Sequence, residues 1–413
     1  MKPTNRFLLV FILGLLSAIG PFSIDMYLPG FPDIAKDLNT TVATISLSLS
    51  SFFIGISVGQ LIYGPLLDRF GRKTPLYVGL ISYVITSAGC AMAASSHQLI
   101  ILRFLQALGS CAGMVASRAM VRDLFPVNKT AKVFSQLMLV IGVSPIIAPT
   151  AGGYLTAAFG WHSIFIVLTI MVALILVGVH FYLPESRKAD KNVSLKPTLI
   201  FKNYVNVLKE PQFITYAFTG ALASAGLYAY ISGSPFVCMQ LFHASEKLYG
   251  WIFAIIASGL IACSQVNSFL LKEKKSEQII KRALLFQSIT AILLFVCTSF
   301  GLLNLFGTVA FIFVFLCCQG FIFPNSSALS LAPFTKNAGS ASAMLGTIQM
   351  SIGALSSAMV SFLSNNTALP MTGVMAICAT GAFSILLIGH TIIRYKAKQE
   401  DVNEETAEMI SNL

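Results

Sequence analysis

The stretch Gly64-Pro65-Leu66-Leu67-Asp68-Arg69-Phe70-Gly71-Arg72-Lys73 joins two long apolar segments, and the architecture can be worked out from it. Its glycines permit a tight turn and a close approach of helices. Asp68 can pair with basic groups on the same face of a membrane. The charges alone predict only which side of the membrane the loop occupies, whereas the ordered spacing of glycines and charges is far more specific.

The amino-acid composition of the whole chain is that of a membrane protein. The chain has 413 residues, of which 56% are hydrophobic and only 10% are charged, and its mean hydropathy is +0.79. Soluble domains carry far more charge. Apolar stretches long enough to cross a bilayer recur along the whole chain. We predict an all-α membrane protein with twelve transmembrane helices, at about 7–30, 42–66, 75–94, 99–121, 132–158, 162–183, 212–235, 249–271, 282–300, 305–329, 339–363 and 369–393.

The basic residues predict the topology. If the loops alternate from an internal N-terminus, only Lys36 and Lys247 of the 27 lysines and arginines fall in outer loops. Arg103 and Arg118 lie within the fourth segment, and all the others lie on the inner side. This asymmetry predicts that the N- and C-termini are both cytoplasmic. The net charge of +11 therefore reflects topology and does not indicate a nucleic-acid partner.

Asp25, near the outer end of the first segment, is the one acidic residue that cannot be placed in a loop, a helix end or a tail. A carboxylate inside a membrane costs a few kcal/mol and is usually retained for function. Because burial favours the neutral carboxyl, such a group can gain and lose a proton near neutral pH. We predict that Asp25 couples the protein to a proton gradient, which would supply energy without a cofactor or metal.

The fourth segment carries a second intramembrane charge, in Arg103-Phe104-Leu105-Gln106-Ala107-Leu108-Gly109. An arginine keeps its charge, so within lipid it needs an anion or water. At 1.5 Å per residue, Asp25 lies about 28 Å above Arg6, and Arg103 lies about 8 Å below the outer end of its helix. Both fall in the outer half of the membrane, and we expect them to meet. Alternatively, Arg103 extends to the outer interface and Asp25 caps a helix end.

The fifth segment combines prolines with small residues, in Ser144-Pro145-Ile146-Ile147-Ala148-Pro149-Thr150-Ala151-Gly152-Gly153. Pro145 and Pro149 should bend the helix and free backbone carbonyls. Gly152 and Gly153 let a neighbouring helix approach closely. On structural grounds alone, this pattern predicts a kinked packing helix.

The loop described first resembles the signature loop of the major facilitator superfamily. That resemblance implies a conformational latch that holds the outward-open state. The residues that carry it are Gly64, Asp68, Arg69, Gly71, Arg72 and Lys73. The Arg103–Gly109 stretch resembles the arginine motif of proton-coupled drug exporters in the superfamily, which usually has glycine at the position of Ala107.

The fifth segment resembles the motif that distinguishes antiporters of this superfamily from symporters. It retains Pro149, Gly152 and Gly153, while positions that are usually glycine are Ser135, Ser144 and Ala148. These substitutes are all small, so the packing role is kept.

Further stretches narrow the resemblance to the bicyclomycin and chloramphenicol resistance branch of the drug:proton antiporters. They are Ser23–Pro29, Val121–Pro126 and Leu183–Ser186. The resemblance covers essentially the whole chain, although its specific motifs lie in the first half. The second half has Lys272-Glu273-Lys274-Lys275-Ser276 where a second copy of the signature loop would fall.

A Lys-rich polar interruption divides the chain into two parts of similar length, as in transporters built from two related bundles. We predict a six-helix bundle at 1–185, a cytoplasmic linker at 186–211 that includes an amphipathic helix, a second six-helix bundle at 212–395 and a cytoplasmic tail at 396–413. Aromatic, Met and polar side chains suit the wall of a cavity for variable lipophilic ligands, although each alone is equally compatible with helix packing. The substrate-wall candidates are Met26, Tyr27, Gln106, Tyr228, Tyr230, Asn325 and Gln349.

We therefore expect a monomeric, multi-pass protein of the bacterial inner membrane that exports small lipophilic compounds in exchange for protons, by alternating access. Its partners would be small-molecule substrates, protons and the lipid bilayer. One alternative is an exporter of a native metabolite, peptide or siderophore. A second is a proton symporter, which the proline- and glycine-rich fifth segment argues against. A third is a non-transporting membrane sensor or enzyme, for which the sequence offers no catalytic cluster.

Overall fold

The computed structural model describes residues 6–190, 197–334 and 338–411, and all regular secondary structure in these ranges is helical. The α-helices are α1 (Arg6–Asp25), α2 (Phe31–Asp37), α3 (Val42–Phe70), α4 (Lys73–Ala91), α5 (Ser96–Leu124), α6 (Val127–Phe159), α7 (His162–Tyr182), α8 (Pro197–Leu208), α9 (Pro211–Pro235), α10 (Glu246–Leu270), α11 (Ser276–Ser299), α12 (Leu305–Leu331), α13 (Ala338–Phe362) and α14 (Leu369–Ser411). A 3-10 turn at Leu28–Gly30 follows α1, and a π-helical turn at Phe236–Leu241 follows α9.

Short polar side chains define where several of these helices begin. In each case an oxygen of the residue before the helix accepts a hydrogen bond from a backbone N–H of the first turn, which otherwise has no partner. The capping residues are Thr41 for α3, Ser95 for α5, Ser245 for α10 and Asn304 for α12.

Eleven segments of the described residues are long and apolar enough to cross a membrane. The first runs from Phe7 to Asp37 through α1, the 3-10 turn and α2. The predicted seventh segment corresponds to α9, which has 25 residues but does not belong to the eleven. Its many Gly, Ala, Ser and Thr residues lower its hydropathy, and most of its residues are buried against other helices. The all-helical, multi-pass architecture is confirmed, and the twelfth span stays a prediction.

The long helices pack in two groups, which we call the first and second halves. In the first half, α1 packs on α5, α6 and α7, while α4 packs on α5 and α7. In the second half, α9 packs on α12, α13 and α14, while α11 packs on α12 and α14. The halves meet mainly where α3 packs on α13 and where α6 packs on α10.

The linker contains the expected helix, α8, which has one buried face. Tyr204 and Val207 are buried, whereas Phe201 and Lys202 are exposed. The Tyr204 hydroxyl donates a hydrogen bond to the carbonyl oxygen of Leu61 in α3 at 3.2 Å, and α8 also packs on α13. The linker helix is therefore attached to both halves.

The last helix is longer than the hydropathy pattern predicts. The apolar segment ends near residue 393, but the backbone of α14 stays helical to Ser411. The Glu-, Lys- and Ala-rich sequence after the apolar run has high helix propensity, which explains the continuation. The predicted tail at 396–413 is thus helical over the residues that the structure describes.

We call the side of the Gly64–Lys73 loop the inner side and the opposite side the outer side. At the outer side the two halves are in close contact, and we call this contact the outer seam. Ser46 donates to the carbonyl oxygen of Ser232 at 2.9 Å across it. Gly153 of α6 lies so close to α10 that an added Cβ would be 2.6 Å from the carbonyl oxygen of Glu246.

At the inner side a cavity of about 540 Å³ separates parts of the two halves. We call it the inner vestibule. It is lined by the inner ends of α3 and α5, by α8 and by the first turns of α13, including Gln60, Arg118, Tyr204 and Ser342. The molecule is therefore closed at the outer side and hollow at the inner side.

Candidate functional site

Asp25 is the last residue of α1 and lies where the two halves meet. Its residue surface is only 5% exposed, and its carboxyl makes no hydrogen bond or ion pair within the described ranges. The carboxyl lies within electrostatic range of the phenols of Tyr228 and Tyr230 in α9 and of Tyr249 in α10. The carboxyl predicted to carry the proton is thus buried against the second half.

Arg103 lies in α5, and its side chain is fully buried. Its Nη1 donates to Gln106 Oε1 at 2.6 Å, and its Nη2 donates to the carbonyl oxygen of Ser23 at 2.9 Å. Its Cζ atom lies 4.2 Å from the ring centre of Phe52 and 4.7 Å from that of Tyr27. The Ser23 carbonyl is among the last four of α1, which lack a partner within the helix. Arg103 therefore caps the end of α1, where the helix dipole favours a cation.

The expected contact between Asp25 and Arg103 is not formed in this structure. Arg103 binds Ser23, two residues before Asp25, and residues two apart on a helix do not share a face. Ser23 faces α4, where its hydroxyl lies 2.6 Å from that of Tyr83. Sequence spacing predicted the level of the two charges along their helices but not the direction in which each side chain points. Their roles in proton coupling stay predictions.

Arg72 is the centre of an ion-pair network at the inner side. Its side chain is 6% exposed; Nε donates to Asp123 Oδ2 at 2.7 Å, and Nη1 donates to Asp68 Oδ1 at 2.8 Å. Burial alone would lower the pKa of Arg72, but the hydrogen bonds and charges of Asp123 and Asp68 outweigh it, so the pKa is raised. This guanidinium therefore stays charged at any physiological pH.

Glu185 fixes the backbone of the same loop. Its Oε1 accepts from the backbone N–H of Arg72 at 2.7 Å, and its Oε2 accepts from that of Lys73 at 3.1 Å. The carboxylate thus sits at the start of α4, where the helix dipole favours an anion. Gly71 has φ +82°, and an added Cβ would lie 3.3 Å from Glu185 Oε2, so the position requires glycine.

Asp68 and Lys73 of the predicted latch make contacts within the first half and the start of the linker. Arg187 pairs with Asp68 at 3.2 Å, and Lys73 Nζ donates to the carbonyl oxygen of Leu183 at 2.9 Å. Gly64 and Arg69 lie in the last turns of α3. The ion pairs of Asp68 and Arg72 join them to Asp123 and Arg187, and none of these partners belongs to the second half. The latch role therefore stays a prediction for another conformation.

The fifth-segment glycines contact two different helices. A Cβ on Gly152 would overlap the carbonyl oxygen of Met26, at the end of α1. The next residue, Gly153, faces Glu246 across the outer seam. Pro145 and Pro149 both lie inside α6, and the Pro149 carbonyl oxygen would be 3.0 Å from a Cβ on Gly250. The side chain of Ser135 lies outside the described residues, and the antiporter assignment stays a prediction.

The substrate-wall candidates divide into separate groups. Tyr27 and Gln106 surround Arg103, while Tyr228 and Tyr230 lie near Asp25. Met26 and Gln349 are buried, and the Nε2 atom of Gln349 has no hydrogen-bond partner in the described part of the chain.

Asn325 does not join either group. Its Nδ2 donates to Asn267 Oδ1 at 2.6 Å, which ties α12 to α10 within the second half. None of the seven candidates lines the inner vestibule.

Sequence reasoning did not single out several residues that line the inner vestibule or hold the Gly64–Lys73 loop. Asp123 and Glu185 were recognised only through a family resemblance, although an acidic residue at a predicted inner helix end could have indicated an ion pair with the loop. Gln60 and Tyr204 of the vestibule carried no signal in the sequence. Among the described residues, no group of three or more His, Cys, Asp or Glu side chains could hold a metal ion.

The sequence of this chain is similar to those of known membrane transport proteins. A sequence profile described as Major Facilitator Superfamily matches residues 11–357. An uncharacterized MFS-type transporter, YdgK of Bacillus subtilis, is 34% identical over 92% of this chain and 94% of its own length. A bicyclomycin resistance protein homolog of Haemophilus influenzae is 30% identical over 91% of this chain and 94% of its own length. The multidrug resistance protein MdtL of Escherichia coli is 30% identical over 80% of this chain and 82% of its own length.

The fold also matches a solved transporter structure. A crystal structure of a bacterial homolog of the human lysosomal transporter Spinster, inward-facing and unoccupied, superposes with a TM-score of 0.69. The match covers 94% of this chain and 96% of that one at 14% sequence identity, so it concerns the fold alone. With a family profile over most of its length and relatives of 30–34% identity, the chain belongs to the major facilitator superfamily and is a multi-pass membrane transport protein, not an enzyme.

Proposed function

We propose that this protein exports small, largely lipophilic compounds in exchange for protons. The observation that carries the proposal is Asp25, a carboxyl that is 5% exposed, has no described hydrogen-bonding partner and lies where the two halves meet. A neutral carboxyl tolerates such a site far better than a carboxylate does. Closing the outer seam therefore favours proton binding at Asp25, and loss of the proton favours opening.

This preference is sufficient to couple a proton to transport. A proton that binds Asp25 from the outer side favours the closed outer seam seen here. Once that proton leaves to the inner side, the buried carboxylate destabilises the closed seam, and the molecule returns to the outward-open state with its substrate. The ligand and the proton shift the same equilibrium in opposite directions, which is the requirement for antiport.

Arg103 serves in this proposal as a positioning residue. By capping the carbonyl of Ser23 it fixes the last turn of α1, and that turn carries Asp25. If the halves separate at the outer side, Asp25 loses its contact with the second half. A direct pairing with Arg103 in that outward-open state would stabilise the carboxylate.

The loop centred on Asp68 is proposed to join the two halves when the inner side closes. In this structure it lies on the wall of the inner vestibule, and Gly339 and Ser340 at the start of α13 lie on the same wall. Closure of the vestibule would bring the loop onto the first turns of α13. The paired Arg72 and Asp123 would keep the loop rigid for that contact.

Two relatives support a drug as the exported compound, since one is named for bicyclomycin resistance and the other for multidrug resistance. Tyr228, Tyr230 and Tyr249 near Asp25, together with the neighbouring Met26, offer adaptable apolar surface for such compounds. We further propose a monomer in a bacterial inner membrane that uses the proton gradient and no cofactor. Export of a native metabolite, peptide or siderophore is the second candidate, because the same machinery could carry it.

The proposal is tested with everted membrane vesicles from a host that lacks its own drug exporters. An imposed inside-acid gradient should drive accumulation of labelled chloramphenicol by the wild type. Asp25→Asn should abolish gradient-driven accumulation while substrate exchange without a gradient persists, because only the titratable group is lost. Glu273→Gln, which removes an exposed acidic residue on the inner side, should behave like the wild type.

Proton-driven accumulation by Asp25→Asn would refute the assignment of Asp25. If instead the wild type accumulates no drug from a broad panel, mass spectrometry of the growth medium tests the second candidate. An exporter of a native compound would release that compound into the medium in an Asp25-dependent manner.

A further inference from the structure

The inner vestibule has an excess of positive charge. Its lining includes four arginines and two aspartates: Arg72, Arg118, Arg122, Arg187, Asp68 and Asp123. Both carboxylates are already engaged, because Asp68 pairs with Arg72 and Arg187 while Asp123 pairs with Arg72. The remaining two guanidinium groups therefore have no acidic partner in the vestibule.

Arg118 is the deeper of these two cations. It lies on α5, about 22 Å along the helix from Arg103, so it does not belong to the site around Asp25. It is half-buried, and its guanidinium makes no hydrogen bond or ion pair within the residues that the structure describes. A guanidinium offers five donors and cannot lose its charge. At membrane depth such a group is retained where an anion or water meets it.

We propose that Arg118 is an anion subsite of the vestibule that binds the carboxylate of an amphipathic substrate entering from the inner side. The identification of the ligand as a substrate rests on the proposed export function. The binding site itself rests only on the vestibule and its unpaired cation. Arginine is suited to the role because its planar fork can donate two parallel hydrogen bonds to a carboxylate.

The rest of the lining points to an organic anion and not to a bare inorganic one. The same cavity is lined by the apolar side chains of Leu67, Val115 and Ala343. It is also lined by the neutral polar side chains of Gln60 and Tyr204. The cavity volume of about 540 Å³ lies within the range of sites that bind small molecules. A small aromatic or aliphatic body with one carboxylate would meet both parts of this lining.

The test uses two probes that differ only in charge, 1-pyrenebutyrate and its neutral counterpart 1-pyrenebutanol. Binding of each to the purified full-length protein is measured by equilibrium dialysis in nanodiscs made only of phosphatidylcholine. The wild type should bind the carboxylate at least about tenfold more tightly than the alcohol, as expected for a charge-assisted contact. Arg118→Gln should lose this preference, Arg118→Lys should keep part of it, and Arg282→Gln, a basic residue outside the vestibule, should keep it fully.

Retention of the carboxylate preference by Arg118→Gln would overturn the proposal. So would complete displacement of the probe by inorganic phosphate alone, since the site would then accept any free anion. A third arm replaces part of the phosphatidylcholine with phosphatidylglycerol. Loss of probe binding in those nanodiscs would assign the site to a lipid headgroup and overturn its assignment to a substrate.

Transport in everted vesicles separates this proposal from the export function itself. If the wild type accumulates pyrenebutyrate and Arg118→Gln accumulates only pyrenebutanol, both ideas are supported. If the wild type transports neither probe but binds the carboxylate through Arg118, the anion subsite stands and its role in export fails. Wild-type transport of both probes that Arg118→Gln leaves unchanged overturns the subsite and leaves export intact.

Discussion

One interatomic distance at the outer seam predicts how strongly a substitution there would shift the balance between the open and closed states. Gly153→Ala adds a Cβ that would lie 2.6 Å from the carbonyl oxygen of Glu246 in the other half. This oxygen belongs to the backbone in the first turn of α10, so it cannot rotate away as a side chain could. An ordinary carbon–oxygen contact is about 3.3 Å, so the seam must widen by roughly 0.7 Å.

Such overpacking typically costs about 1–3 kcal/mol. The cost falls only on the state in which the outer seam is closed, because in the outward-open state Gly153 and Glu246 separate. The substitution should therefore raise the ratio of open to closed molecules by roughly five- to 150-fold. Gly250→Ala should act in the same direction, because its Cβ would lie 2.9 Å from Thr150 Cα across the same seam.

A native cysteine reports on the seam. Cys238 lies in the π-helical turn after α9, is 2% exposed and belongs to the outer region where this turn packs on α2. Its labelling by a membrane-impermeant maleimide in intact cells should be slow in the wild type. The rate should rise in Gly153→Ala by about the ratio given above, since labelling proceeds through the open state.

Two controls make the result interpretable. Cys238→Ser should remove the signal and so identify the labelled residue. Gly20→Ala places a Cβ on α1 with no atom within 4 Å, and it should leave the labelling rate unchanged. A correctly inserted Gly153→Ala protein with wild-type labelling would refute the reasoning, because the overlap between the added Cβ and the Glu246 carbonyl would then have no effect on opening of the seam.

Two further predictions concern the inner side. Asp123→Asn leaves Asp68, which is partly exposed, as the only carboxylate paired with the buried Arg72. It should lower the stability of the purified protein by about 1–3 kcal/mol, the cost of an unsatisfied buried donor, measured as a lower melting temperature than that of Glu273→Gln. Equal melting temperatures would show that the pair contributes nothing. Tyr204→Phe removes the hydrogen bond from α8 to Leu61, which contributes about 0.5–1.5 kcal/mol. Trypsin should therefore cleave the Lys-rich linker faster in this variant than in the control Tyr182→Phe. Equal cleavage rates would show that this hydrogen bond does not hold α8 in place.

Hydropathy and charge predicted the helical, multi-pass architecture because both respond to the membrane itself. The seventh segment was predicted at 212–235 and α9 forms there, but its many small residues keep it out of the eleven candidate membrane spans, and it is largely buried among its neighbours. A hydropathy pattern measures contact with lipid, so a helix shielded by other helices is the one that it describes least well. The continuation of α14 to Ser411 was missed for a related reason, because helix propensity persists where hydropathy stops.

For the candidate site, the sequence indicated which residues to consider but not how their side chains are arranged. Residue spacing indicated that Asp25 and Arg103 lie at similar levels, and the contact of Arg103 with Ser23 agrees with that. Spacing along separate helices does not specify their relative rotation, so the partner of Arg103 could not be predicted. The pairing of Arg72 with Asp123 joins residues that are 51 apart in the sequence, and a single sequence contains no signal for that contact.

The turn that carries Asp25 is held on both sides by neighbouring helices. On one side, Arg103 of α5 donates a hydrogen bond to the carbonyl oxygen of Ser23. On the other side, Gly152 of α6 packs closely against the carbonyl oxygen of Met26. These two contacts restrict independent movement of the turn, so it moves together with the rest of the first half. In the proposed transport cycle, the carboxyl changes its surroundings only when the whole first half rotates. Protonation of Asp25 would then be tied to the conformational change, and local side-chain motion would contribute little proton leakage.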